Sequence, residues 1–179
     1  MRFTEIYLKD VYIIDSNSIS DDRGMFSRVF CKKEFSSIGH TKEFVQFNHS
    51  VNNVAGTVRG MHFQKAPHGE MKLIRCIKGA AFDVVVDVRP ESSTYLKWYG
   101  EILSAENRKS IYIPEGFAHG FQTLEANTEL LYHHTEYYAP EFESGLNALD
   151  LEIGIKWPIR VSMISEKDKN IGMIKDKQR

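Results

Sequence analysis

The sequence predicts an all-β domain, built as a sandwich or barrel of short strands. Apolar and polar residues alternate in several short segments, most cleanly over Phe82–Val88, which is the period of a half-buried strand. Gly, Pro and Asn residues separate these segments at short intervals. Aromatic residues make up 12% of the chain, and their rings favour strands. This pattern argues against the βαβ units of a parallel sheet.

The first half of the chain alternates between apolar strand candidates and polar turns. Its predicted strands are Tyr7–Ile14, Met25–Phe30, Phe44–Ser50, Arg59–Gln64 and Met71–Ile77. Clusters of Asp, Asn, Gly and Pro predict turns or loops at Asp21–Gly24, Asn52–Asn53, Lys65–Gly69 and Lys78–Gly79. Lys32–Ile38 is predicted to form a short helix that ends at Gly39, because glycine favours the left-handed position after a helix.

The second half continues in the same way. Its predicted strands are Phe82–Val88, Tyr95–Leu103, Arg108–Ile113, Phe117–Leu124 and Thr128–Tyr138, with turns at Arg89–Ser93 and Pro114–Gly116. The segment Asn147–Trp157 is a less regular candidate that Pro158 ends. The charged tail, Val161–Arg179, predicts one short helix.

Length and composition limit the class of protein. The 179 residues are enough for one domain with a substantial core, so we predict a single domain over residues 1–179. A net charge of -1 gives no electrostatic reason to expect a nucleic-acid or membrane-surface partner. No apolar run approaches the roughly 20 residues of a membrane span, and residues 1–5 carry no apolar signal core. Cys31 and Cys76 are predicted to be reduced, buried thiols of a soluble cytoplasmic protein.

The stretch Arg59–Gln64 combines a cation, a glycine, an imidazole and an amide. Its alternation places His62 and Gln64 on one face of a strand and Met61 and Phe63 on the other. A strand of this kind either has a polar outer face or lines a wet pocket. In a β-rich domain with an interior, the second possibility predicts a site for a small ligand.

Seven His residues raise the possibility of a metal, but their spacing disfavours one. A metal site in a barrel usually needs two or more closely spaced His and a carboxylate. His62 and His119 each lack a second His on the same strand, and adjacent His133 and His134 point to opposite faces of a strand. We therefore expect no metal.

The chain does offer groups for proton transfer. A His base needs a group that fixes its tautomer, and developing negative charge needs a cation or hydrogen-bond donor. Candidate imidazoles, phenols and cations are His62, His119, Tyr132, Tyr138, Arg59 and Lys72. A lone His on a strand is more often structural than catalytic. Because GxGxxG, GxxxxGK[ST] and GxSxG motifs are absent, the residues alone leave an isomerase or a binding protein as the alternatives.

Several ordered motifs resemble the dTDP-4-dehydrorhamnose 3,5-epimerases. The blocks, in the family's order between about residues 12 and 168, are RGMHFQ (59–64), KLIRC (72–76), FDVVVDVR (82–89), LSAENR (103–108), IPEGFAHGF (113–121), YYAPE (137–141) and GIKWP (154–158). The block at 113–121 is the strongest. Each block alone is weak, but the ordered set is highly specific.

The resemblance implies a cupin-like jelly-roll (double-stranded β-helix) barrel with short peripheral helices. It also implies a homodimer, with the N-terminal strand as the candidate exchanged element, and an epimerase that needs no cofactor. The family's substrates are nucleotide-linked 4-keto-6-deoxy sugars of deoxysugar biosynthesis, such as that of O-antigen-type polysaccharide. The C4 ketone acidifies the hydrogens on C3 and C5, so a base can form an enolate and an acid on the opposite face can invert the centre.

The resemblance also assigns roles by position. His62 matches the base, Asp168 the carboxylate that orients it and raises its basicity, Tyr132 the acid, and Lys72 the cation that stabilises the enolate at O4. Nearby cations are expected to tune the phenol of Tyr132, and Arg59 is expected near phosphate. The matched substrate-binding residues are Arg23, Phe26, Gln46, Asn48, Arg59, His119 and Tyr138. For Phe26 and Tyr138, packing in the core is the alternative.

Four departures from the family pattern leave the acid–base set intact but change its surroundings. Arg28 replaces a Glu on the expected nucleobase side, Glu70–Met71 replaces Gln-Gly before Lys72, His133 replaces a Lys, and Ala148–Leu149 replaces Trp-Asp. The nucleotide, thymidine or cytidine for example, and the number of inverted centres therefore stay open. So do three alternatives: a 3,4-ketoisomerase, a single-centre epimerase, or a non-catalytic cupin that binds sugar nucleotides.

Overall fold

The computed structural model describes residues 1–177 and confirms the all-β prediction. Helical segments within this part are short: α1 (Lys32–Phe35), α2 (Glu166–Lys169), α3 (Ile174–Lys177) and two 3-10 helices (Ser36–Ile38 and Pro140–Phe142). The strands are β1 (Arg2–Glu5), β2 (Tyr12–Asp15), β3 (Ser18–Asp21), β4 (Gly24–Ser27), β5 (Gln46–Asn52), β6 (Thr57–Gln64), β7 (Lys72–Lys78), β8 (Ala80–Asp87), β9 (Trp98–Ser104), β10 (Lys109–Ile113), β11 (Phe117–Thr123), β12 (Thr128–His134), β13 (Glu143–Gly145) and β14 (Met163–Ile164).

The strands form two large sheets and a separate hairpin. The first sheet has the order β1-β2-β10-β7-β12-β5, and the second has the order β13-β6-β11-β8-β9. Neighbours within these orders are antiparallel, whereas β14 joins β6 in parallel. Non-consecutive neighbours show that the chain crosses repeatedly from one sheet to the other, so residues far apart in sequence meet between the sheets.

The main core lies between the two sheets. Ile74 and Ile111 of the first sheet pack in one cluster with Val85 and Phe121 of the second. The alternation predicted for 82–88 explains this packing, because Val85 points inward while Val84 and Val86 join a cluster on the outer face. Burying a side chain of this size contributes about 1.5–3 kcal/mol.

The segment after β13 covers that outer face and corrects one expectation. Residues 147–157 form turns rather than a strand, and Ala148, Ile153 and Trp157 pack against the second sheet. Apolar residues that cover a sheet resemble a loose strand in sequence. The tail likewise contains β14 and two short helices within the described residues, rather than one helix.

Other boundaries differ in smaller ways. The strand β1 precedes the predicted N-terminal strand, and much of Tyr7–Val11 is a turn. The last long strand ends at His134 instead of Tyr138. The predicted helix is confirmed, since α1 continues into a 3-10 turn that Gly39 ends at a φ of 79°.

The hairpin β3–β4 stands apart from both sheets. Its turn confirms the prediction at Asp21–Gly24, and its strands pair only with each other among the described elements. Ile19 and Phe26 are 72% and 76% exposed, so this hairpin presents apolar side chains outward. Exposed apolar side chains next to one another are typical of an interaction surface.

Two further expectations concern compartment. Cys31 and Cys76 are both free thiols, and Cys76 is buried as predicted, whereas Cys31 is half-buried. Among the helices in residues 1–177, none has the length and apolar character that crossing a membrane requires.

Candidate active site

A cavity of about 710 Å³ opens between the two sheets. Its walls come from opposite sheets, since His62 and His119 lie on β6 and β11, whereas Lys72 and Tyr132 lie on β7 and β12. Cavities of this size are typical of sites for small ligands. This confirms the prediction that the Arg59–Gln64 strand lines a pocket.

Two glycines bring β6 and β11 close enough to place both imidazoles in this cavity. Gly60 has a φ of 104°, and a Cβ there would lie 2.6 Å from the carbonyl oxygen of His119. A Cβ on Gly120 would lie 2.6 Å from the carbonyl oxygen of Arg59. The register shifts beyond His119, which pairs with His62. Side chains at either glycine would force the strands apart.

The C-terminal tail brings a carboxylate to His62. Asp168 Oδ1 lies 2.7 Å from His62 Nε2, and Oδ2 accepts a hydrogen bond of 3.2 Å from the backbone N–H of Gly60. The strand β14 holds the tail against β6, and Ser165 begins α2 by accepting the backbone N–H of Asp168 at 3.1 Å.

Hydrogen bonding keeps the carboxyl group of Asp168 ionised. Burial alone would raise the pKa of Asp168, but the hydrogen bonds from His62 and Gly60 outweigh it and lower that pKa below its ordinary value. An ionised carboxylate can only accept, so His62 donates from Nε2–H. In neutral His62 the lone pair is then on Nδ1, so the contact with Asp168 selects one tautomer.

Tyr132 stands on the opposite wall. Its hydroxyl lies 3.4 Å from Ser50 Oγ, and its ring meets that of His119 edge-on at 5.9 Å. Burial raises the pKa of Tyr132 far above its ordinary value, although Ser50 and Arg59 oppose this shift. The expected tuning by cations is therefore outweighed, and Tyr132 stays a neutral phenol that can donate a proton.

Lys72 supplies a buried cation between the two walls. Its Nζ donates to the carbonyl oxygen of His62 at 3.3 Å and to Glu70 Oε1 at 3.0 Å. The side chain is 7% exposed. An ammonium group with so little water around it stabilises nearby negative charge more strongly than a surface cation does.

A second His–carboxylate pair lies deeper. His119 Nε2 is 2.9 Å from Asp83 Oδ2, and both residues are buried. Burial raises the pKa of Asp83 and lowers that of His119. Loss of water thus disfavours the charged imidazolium form of His119.

The structure brings most of the predicted substrate-binding residues to the cavity. Gln46, Asn48, Arg59 and Tyr138 line it together with His119. Tyr138 is 54% exposed and donates from its hydroxyl to Glu143 at 2.8 Å, so it lies at the rim rather than in the core. The core alternative for Tyr138 is wrong.

Arg23 and Phe26 are not brought to this cavity. Both lie on the β3–β4 hairpin, where the side chain of Arg23 is 90% exposed and Phe26 is 76% exposed. The exposure of Phe26 also excludes the core alternative. Their predicted part in substrate binding stays a prediction.

Sequence reasoning missed several residues of the site. Asp83 carried a signal, since it is the acidic inward position of the alternating 82–88 strand. The prediction that adjacent His133 and His134 point to opposite faces is confirmed, because His133 packs against Phe47 and His134 lines the cavity. The place of His134 in the site was missed. Glu70 was noted only as a departure. Within residues 1–177, no three or more His, Cys, Asp or Glu side chains lie together as a possible metal site.

Comparison with known proteins places this site in context. A sequence profile described as dTDP-4-dehydrorhamnose 3,5-epimerase matches residues 5–176. The chain is 41% identical over 171 residues to the dTDP-4-dehydrorhamnose 3,5-epimerase of Shigella flexneri, covering 95% of this chain and 94% of that protein. It is 36% identical to the dTDP-4-dehydrorhamnose 3-epimerase of Streptomyces niveus, covering 95% of this chain and 82% of that protein.

A solved structure extends the similarity to the fold. The dTDP-4-dehydrorhamnose 3,5-epimerase of Bacillus anthracis, a crystal structure with TDP and PPi bound, superposes with a TM-score of 0.93 at 40% identity. The match covers 97% of this chain and 99% of that one. This agreement confirms the predicted cupin-like jelly-roll fold.

Proposed function

Because this chain belongs to the dTDP-4-dehydrorhamnose 3,5-epimerase family, we propose that it inverts C3, C5 or both of a nucleotide-linked 4-keto-6-deoxy sugar. The chain is an isomerase of the epimerase class that acts in deoxysugar biosynthesis. One observation supports the proposed chemistry most directly. A His base paired with a carboxylate and a neutral phenol face one cavity from opposite sheets.

At each inverted centre, the proposed reaction uses each group once. The ketone at C4 acidifies the neighbouring C–H, and Nδ1 of His62 removes that proton while Asp168 stabilises the resulting imidazolium. The electron pair of the C–H bond becomes the enolate, whose negative charge on O4 faces the ammonium of Lys72. Tyr132 then returns a proton from the opposite face, so the centre is inverted. The phenolate and the imidazolium regain their starting states by proton exchange with solvent.

We propose dTDP as the nucleotide carrier, on the strength of the relatives. The departure at Arg28 does not leave a bare positive charge, because Arg28 pairs with Glu34 at 2.8 Å. Glu34 also holds the N-terminal amine of Met1 at 2.6 Å. The cation at this position is thus partly neutralised, which supports tolerance of thymidine. CDP is the alternative carrier.

Product analysis tests this function. Purified protein should convert dTDP-4-keto-6-deoxyglucose to a sugar whose ring proton couplings, read by NMR, show inversion at C3, C5 or both. A kcat/KM for the CDP analogue higher than that for dTDP would assign the carrier to CDP. Tight binding of both sugars without conversion would favour a non-catalytic binding protein, and a ketone moved to C3 would favour a ketoisomerase.

We further propose a homodimer in which the β3–β4 hairpin of one subunit completes the cavity of its partner. Arg23 and Phe26 match nucleotide contacts by position, yet they lie outside the cavity of their own chain. Burial of the exposed apolar residues Ile19 and Phe26 against another surface would be favourable. In a symmetric dimer, each subunit would bury the hairpin of the other.

Mixed dimers test this arrangement. Arg23→Ala and His62→Ala homodimers should each be strongly impaired, whereas mixing them as coexpressed chains should restore about a quarter of wild-type activity, because half of randomly formed dimers contain one intact site. If the hairpin served its own chain, no mixed dimer would contain an intact site. If a confirmed mixed dimer regained no activity, the shared site would therefore be refuted.

We also propose a cytoplasmic location. The two free thiols, Cys31 and Cys76, are typical of a reducing compartment.

A further inference from the structure

Glu70 connects two groups of the cavity, Lys72 and His134, that lie on the same sheet as Tyr132. Its Oε1 lies 3.0 Å from Lys72 Nζ, and its Oε2 lies 2.7 Å from His134 Nδ1. All three side chains line the cavity, and none is more than 11% exposed. One carboxylate thus uses each oxygen for a different buried donor.

The backbone around Glu70 is held in place by the neighbouring strand. The backbone N–H of Met71 donates to Thr135 Oγ1 at 2.9 Å, and the N–H of Thr135 donates to the carbonyl oxygen of Met71 at 3.1 Å. These bonds connect the start of β7 to the end of β12. Glu70 therefore reaches into the cavity from a fixed point, which favours a defined geometry of the groups it touches.

The charge of Glu70 determines which ring nitrogen of His134 carries a proton. Burial would raise the pKa of Glu70, but His134 and Lys72 outweigh it and lower that pKa to about 2. As an anion at neutral pH, Glu70 can only accept, so His134 donates from Nδ1–H. Neutral His134 then has its lone pair on Nε2, which lies 3.3 Å from the Asn48 amide nitrogen.

The position of His134 relative to the acid is also defined. Its ring stacks on that of Tyr132 with centroids 6.1 Å apart and planes inclined by 14°. The acceptor nitrogen Nε2 therefore belongs to the same wall as the phenol. Its lone pair accepts from the Asn48 amide at 3.3 Å, so His134 orients Asn48, another residue that lines the cavity.

We propose that Glu70 is a positioning residue, which directs the Lys72 ammonium toward the developing charge on O4. It also fixes the His134 tautomer whose Nε2 accepts from the Asn48 amide in the cavity. This inference rests on the proposed function. Glu70 and Asp83 are the carboxylates beside Lys72, and Glu70 contacts its Nζ directly. The negative charge of Glu70 offsets part of the positive charge of Lys72, so that charge does not itself stabilise the enolate. The contribution of Glu70 is therefore to hold the ammonium group in position.

Strand β12, which carries His134, also provides a matched control. Glu129 also bridges a His and a Lys, with Oε2 2.9 Å from His49 Nε2 and Oε1 3.1 Å from Lys78 Nζ. Neither Glu129 nor Lys78 lines the cavity, whereas His49 does so from a position where its side chain is 46% exposed. The Lys78 side chain is 61% exposed. Changing Glu129 removes the same type of bridge from a solvated surface, where such pairs contribute little.

The test compares Glu70→Gln with Glu129→Gln. Glu70→Gln removes the negative charge and replaces one of the two acceptor oxygens by an NH2 group, which cannot accept from Lys72 or His134. Glu70→Gln should lower kcat by about 10- to 100-fold, by analogy with the groups that orient metal-binding side chains, with KM changed less than about threefold. Glu129→Gln should retain wild-type kcat. A kcat within about twofold of wild type in Glu70→Gln, or an equal loss in both variants, would overturn the proposal.

A second measurement needs no substrate. Long-range proton–nitrogen NMR should show His134 as a single Nδ1–H tautomer in the wild type and in Glu129→Gln, and as a mixture in Glu70→Gln. An Nε2–H tautomer in the wild type would overturn the proposal even if Glu70→Gln failed to fold. If the wild type converted no sugar, the proposed function would fail, and these spectra alone would decide the positioning role.

Discussion

His62→Ala is expected to lower kcat for epimerisation by about 10³-fold or more, because it removes the base that begins every turnover. Deuterium from solvent should also stop entering C3 and C5, since no enolate would form. Asp168→Asn should reduce the rate less severely, because the amide can still contact His62 but no longer stabilises an imidazolium. Rates are best measured by NMR on the dTDP-linked 4-keto-6-deoxy sugar, with deuterium incorporation followed in the same samples.

A matched histidine outside the cavity separates chemistry from stability. His68 is half-buried, lies 4.0 Å from Glu136, and does not line the cavity. His68→Ala should therefore keep wild-type kcat. Undiminished activity in His62→Ala would show that another group removes the proton, and the neutral His119 on the neighbouring strand would be the first alternative to examine.

Tyr132→Phe is expected to abolish inversion while leaving proton removal intact. His62 can still form the enolate and return a proton to the face from which it came. Substrate recovered from D2O should therefore carry deuterium with its original configuration. Formation of the inverted product should fall by about 10²- to 10⁴-fold, the usual contribution of a positioned acid. This separation of exchange from inversion distinguishes an acid from a residue that only binds.

Tyr95 offers the control for this variant. It is 45% exposed and does not line the cavity, so Tyr95→Phe should behave as the wild type. Complete inversion at one centre in Tyr132→Phe would mean that this centre does not use the phenol. Complete inversion at both centres would exclude Tyr132 as the acid.

The fold was largely predictable because its strands carry strong local signals. The alternation over 82–88 correctly separated Val85 from Val84 and Val86, and the structure shows that Val85 faces the main core. Strand β1 was missed because four residues at a sheet edge show too little alternation to stand out. Residues 147–157 were misread because covering a sheet and joining one both require apolar side chains.

The site was only partly predictable for a geometric reason. His62 and Asp168 are 106 residues apart, and periodicity cannot show that a tail returns to a given strand. The resemblance supplied that pairing, and the structure places the two side chains 2.7 Å apart. The bridge at Glu70 was missed because its partners, Lys72 and His134, meet only when β7 and β12 pair.

An enolate next to the C4 ketone is the intermediate on which every step of the proposed reaction depends. The most direct test is to incubate the wild-type protein in D2O with dTDP-4-keto-6-deoxyglucose and its CDP analogue, and to read deuterium at C3 and C5 by NMR. Deuterium at one or both carbons, accompanied by inversion, is the predicted result, and the labelled carbon identifies the centre that the enzyme serves. Absence of deuterium with both nucleotides, from a folded protein, would contradict the account.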